Sequence, residues 1–89
     1  MKSTHIPEFS GDIVEVTGEL TVDTELRALQ SAGAVLAQDS TATEAGVSVE
    51  CLDPKPAGGH VKLTLKTWAA DGATPGVNPV KVAWTALGL

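Results

Sequence analysis

Apolar and polar residues alternate one by one along most of this 89-residue chain, a period that suits extended strands and not helices. HVKLTLKT sets Val61, Leu63 and Leu65 against Lys62, Thr64 and Lys66. In NPVKVAWTALG, Val80, Val82, Trp84 and Ala86 share one face, and Lys81, Ala83, Thr85 and Leu87 share the other. DIVEVTGELTV places Val14, Val16, Gly18, Leu20 and Val22 opposite Ile13, Glu15, Thr17, Glu19 and Thr21, with a bend or bulge expected at Gly18. GVSVECL aligns Val47, Val49 and Cys51 on an inward face.

Turn signals separate these runs. DPKPAGG, residues 53–59, cannot lie inside a central strand and reads as a loop, as does the polar DSTATEA, residues 39–45. Residues 24–38 admit two readings. Leu26, Leu29, Gly33 and Leu36 fit helical spacing with Asp23 as a cap. Gly33 in the middle costs such a helix about 1 kcal/mol. The preferred reading is a short turn over 25–30 and a strand over 32–38. The expected fold is therefore all-β, a small antiparallel β-sandwich of five to six strands. It occupies residues 12–89 behind a flexible N-terminal arm of residues 1–11.

A chain this short buries only about 60% of its unfolded surface. Its apolar residues are mostly Ala and Val, with one Phe, two Trp and no Tyr. Thin cores of this kind are often completed by further copies, so a homo-oligomer is expected. Six basic residues, scattered along the chain, face eleven acidic ones, for a net charge of −5. That balance disfavours nucleic acid and anionic membrane surfaces as partners. No apolar run approaches the roughly 20 residues of a membrane span, and the first residues do not read as a secretion signal, so synthesis in the cytoplasm is expected.

Catalytic signatures are missing. Cys51, the only cysteine, allows no intrachain disulfide and reads as a small buried hydrophobe. His5 and His60 lie far apart, which argues against a metal site, and no Gly-x-Ser-x-Gly motif occurs. PAGGH, residues 56–60, sits between strands and not before a helix, the wrong setting for a phosphate cradle. No catalytic residue, cofactor or metal is assigned. Glu15 and Glu19 on one outer strand face, and Lys62 and Lys66 on another, would form cross-strand pairs if those strands were neighbours.

The two tryptophans differ. Parity sends Trp84 into the core as its anchor. Trp68 falls in strict register with Lys62, Thr64 and Lys66, so either a bulge turns it inward or it stands outside as an interface or ligand contact. Between them lies AADGATPGVNP, eleven residues and too long for a tight hairpin. Trp68, Asp71 and Asn78 are the candidate ligand or interface residues.

LTLKTW, an acidic turn and VKVAWTALG resemble the C-terminal half of H-type lectin domains, through Thr67, Trp68, Asp71, Val80, Val82, Trp84 and Ala86. The likeness covers about a third of the chain. It implies a six-stranded antiparallel sandwich that assembles into trimers or hexamers. None of that family's sugar contacts transfers to a position here. In style the chain is also similar to small all-β proteins of tailed phages and prophages. The expected function is a non-enzymatic structural or assembly protein, a virion component bound to other virion proteins. The alternative is a carbohydrate-binding module whose partners are glycans.

Overall fold

The computed structural model describes residues 7–37 and 46–89. Six strands appear in chain order: β1 (Glu8–Val16), β2 (Glu19–Asp23), β3 (Leu29–Leu36), β4 (Gly46–Glu50), β5 (Lys62–Trp68) and β6 (Val80–Gly88). They form two antiparallel sheets of three strands each, β1-β6-β3 (sheet A) and β2-β5-β4 (sheet B). No helix occurs among the described residues, so the helical reading of 24–37 is overturned. β3 instead begins at Leu29, three residues before the expected strand.

Sheet membership follows from how the chain turns. The expected single strand over 12–22 is two strands in two sheets. Gly18 makes the corner with a φ of +77°, which favours glycine. The Thr67 hydroxyl accepts from the Gly18 N–H at 3.1 Å, and the Thr67 N–H donates to the Gly18 carbonyl at 2.8 Å. Thr67 is fully buried, so this contact ties the corner to the middle of sheet B. The second crossing runs through Thr24–Ala28. Asp23 does accept a backbone N–H, that of Glu25 at 2.7 Å, but it caps a turn in which Glu25 takes a φ of 61°. Buried Thr24 donates its hydroxyl to the Val61 carbonyl at 2.8 Å, and Leu26 plugs the core between the sheets.

The core is the set that alternation selects on the two central strands: Leu63 and Leu65 from β5 against Val80, Val82, Trp84 and Ala86 from β6. Val16 and Leu26 join them, and Val47, Val49 and Cys51 pack at the margin. Trp84 is 4% exposed.

One boundary and one expected pairing differ from the sequence reading. β1 pairs with β6 from Glu8 onward, so residues 8–11 belong to the sheet and not to an arm, while residues 1–6 lie outside the described part. The carboxylate–ammonium pairing is split by the corner at Gly18. Glu19 lies directly opposite Lys66, but Glu15 lies opposite Lys81 in the other sheet.

Candidate functional site

The register of β5 runs without a bulge to Trp68, which lies opposite Gly46. Trp68 therefore keeps the outward parity of Lys62, Thr64 and Lys66, and the inward reading is corrected. The indole is half-buried on the outer face of sheet B, and its Nε1–H donates to the Ser48 hydroxyl at 3.0 Å. An edge-on bond of this kind fixes the ring while leaving apolar ring surface beside the loop.

That loop folds back on the end of β5. A bridge joins Trp68 to Pro75, the Gly76 N–H donates to the Thr67 carbonyl at 2.8 Å, and the Ala69 N–H donates to the Thr74 carbonyl at 2.8 Å. Asp71 organises the turn. Its Oδ2 accepts the Thr74 hydroxyl, and its Oδ1 accepts the N–H groups of Thr74 at 2.8 Å and Ala73 at 2.9 Å. These donors, the Thr74 hydroxyl first, lower the Asp71 carboxyl from 3.8 to about 2. A depressed carboxyl contributes stability above its unfolded pKa and loses it as pH falls through the folded value. Loop order is thus expected to hold above about pH 4 and to fade toward pH 2, with an NMR carboxyl titration of Asp71 near 2. Asp71→Asn should speed amide exchange at Ala73 and Thr74 at neutral pH. Unchanged exchange there would show that the carboxylate does not organise the turn.

The candidate residues separate. Trp68 and Pro75 meet Gly18, Glu19, Lys66 and Thr67 around a shallow hollow of about 220 Å³. Asp71 and Asn78 are exposed in the same loop but do not line it. Glu19, Lys66 and Pro75 were not legible as site residues. They reach Trp68 only because β2 pairs with β5 and the loop turns back.

At the other end of this face lies a second hollow of about 340 Å³, lined among others by Thr21, Asp53, His60, Lys62 and Thr64. His60 Nδ1 is 3.4 Å and Lys62 Nζ 4.0 Å from the Asp23 carboxylate. The Glu25 N–H above all holds Asp23 below its ordinary range; desolvation opposes it, and the nearby His60 and Lys62 add to the lowering. Lys66 Nζ sits 3.5 Å from Glu50 Oε1 on β4, and not on Glu19 directly opposite. Exposed pairs of this kind contribute about 0–1 kcal/mol each.

The outer face of sheet A has a different character. Its cross-strand rows are Phe9–Leu87–Ser31, Gly11–Thr85–Gly33 and Ile13–Ala83–Val35, and the first charged row is Glu15–Lys81. Phe9 is 83% exposed, Val35 63% and Ile13 60%. Among the described residues, no group of three or more His, Cys, Asp or Glu side chains is arranged to hold a metal ion, and no helix is long and apolar enough to cross a membrane. No known family model, curated protein or solved structure matches this chain.

Proposed function

We propose that this protein is a non-enzymatic assembly unit that associates with copies of itself. The observation that carries this reading is the β1 side of the outer face of sheet A, where three consecutive rows hold no charge and Phe9 and Ile13 stand exposed. Contiguous apolar patches on small proteins mark contact sites. Because that face is uncharged, copies of a chain with net charge −5 can meet there without bringing like charges together. A virion of a tailed phage is the setting we propose, on the likeness of style to such proteins. The corresponding prediction is that light scattering finds a homo-oligomer, and that Phe9→Lys with Ile13→Lys lowers its mass toward that of one chain without unfolding it.

A second reading has its own observation. The hollow lined by Trp68 and Pro75, with Glu19 and Lys66 also on its wall, suits a sugar ring stacked on the indole with polar side chains at the rim. A glycan array separates the two. Retention of a defined glycan that is lost on Trp68→Ala supports the carbohydrate-binding reading. Oligomerisation with no glycan signal supports the assembly unit.

A further inference from the structure

β1 is nine residues long and lies at the edge of sheet A, and its ladder to β6 is unbroken from Glu8 to Val16. Sheet edges are ordinarily guarded by lysine, proline, a bulge or a short strand. β1 contains none of these four, its charged residues are the carboxylates Glu8, Asp12 and Glu15, and among the described residues no strand pairs with its outward side. Backbone groups of an antiparallel strand point alternately to its two neighbours. The Ile13 N–H donates to the Asp12 Oδ1 at 2.7 Å and so is turned away from β6. On the far side of β6, Lys81 gives its carbonyl to Ala37, which leaves the even-numbered residues of β6 to bond β1. Since even pairs with even in that ladder, the N–H and C=O groups of Phe9, Gly11 and Ile13 lie on the free edge.

We propose that β1 is the seam at which two copies of this chain join, antiparallel and edge to edge, turning sheet A into a six-stranded sheet across a two-fold axis. The proposal rests on the assembly reading and names its contact.

The charges choose the register. An axis at Ser10 sets Glu8 against Asp12 of the second copy, and an axis at Asp12 sets two Asp12 carboxylates face to face. Like charges directly opposite are destabilising. An axis at Ile13 leaves Phe9 outside the ladder. An axis at Gly11 avoids all three faults. Phe9 then lies opposite Ile13 of the second copy, twice by symmetry, an aromatic on a β-branched side chain. Gly11 meets Gly11, and the Ser10 hydroxyl faces the Asp12 carboxylate. The ladder stops where Pro7, which has no N–H, falls opposite Glu15. In the single chain Asp12 occupies the Ile13 N–H. At the seam it releases that N–H to the Phe9 carbonyl of the second copy and accepts the Ser10 hydroxyl.

Sedimentation of the full chain across concentration tests this with three changes. Ile13→Pro deletes one free-edge donor without touching the ladder to β6, and it is expected to weaken association at least tenfold while circular dichroism stays native. Val35→Lys charges the same face on β3, away from the seam, and should leave association within about twofold. Ser10→Cys with Asp12→Cys, in a Cys51→Ser background, should oxidise to a covalent dimer whose disulfides join position 10 to position 12 of the other copy. This measurement holds even if the proline variant misfolds. Association that survives Ile13→Pro with no such cross-link, or that is lost on Val35→Lys, overturns the seam and leaves the assembly reading standing. A chain that is monomeric at every concentration up to about millimolar overturns the assembly reading, and the seam with it.

Discussion

Trp84→Ala is expected to lower stability by about 3–5 kcal/mol. A domain of this size loses about 4–8 °C of melting temperature per kcal/mol, so the midpoint should fall by tens of degrees or the chain should not fold at all. The reason is position. Trp84 lies on the inner face of the central strand of sheet A, between Asp12 on β1 and Ala34 on β3, and it is the largest side chain in a core otherwise made of Leu, Val and Ala. No neighbour is large enough to close the space it would leave. Its Nε1 is buried without a hydrogen-bond partner among the described residues. Trp84→Phe removes that unsatisfied donor and keeps a ring, so its loss should be clearly smaller than that of Trp84→Ala. Thermal melts of the two variants check the ordering, and equal losses would mean that the ring volume is not what holds the core.

Gly88→Ala is expected to destabilise by about 1–3 kcal/mol, although alanine is normally the better strand residue. A Cβ at Gly88 would run into the backbone carbonyl of Ala28, and backbone cannot swing aside as a side-chain tip can. The same carbonyl accepts the Leu89 N–H at 2.9 Å, while the Ala28 N–H donates to the Leu89 carbonyl at 3.2 Å. The last two residues are thereby clamped to the segment that crosses from sheet B to sheet A. Gly33→Ala is the control. Nothing lies within 4 Å of its Cβ position, and its φ is not in the left-handed region. It should raise stability by about 0.4–1 kcal/mol through the unfolded chain. Denaturant midpoints of the pair give opposite signs if local space governs, and a destabilised Gly33→Ala would sink that account.

Side-chain parity was legible from the residues alone wherever a strand is continuous. The inward sets of β5 and β6 are those that alternation selects, because a period of two leaves each side chain one face or the other. Trp68 shows that the rule holds even where intuition resists it. Its polar-face parity stood against the expectation that a tryptophan is buried, and the unbroken register kept it outside. The corner at Gly18 was visible as a break but not as a change of sheet. Only the hydrogen bonds to Thr67, 49 residues away, decide that β1 and β2 part company. The hollow beside Trp68 was illegible for the same reason, since Glu19 and Pro75 reach it through pairing and not through spacing.

The sequence by itself determined the all-β class, which residues face inward along β2, β4, β5, β6 and the second half of β1, and the choice of Trp84 as core anchor. These are local consequences of period and of turn residues. The tertiary structure alone decided which strands share a sheet, how the 24–28 segment crosses between them, and which outer face is apolar and which polar. Pairing is a contact between residues distant in the chain, and no local pattern encodes which distant partner will supply the missing hydrogen bonds.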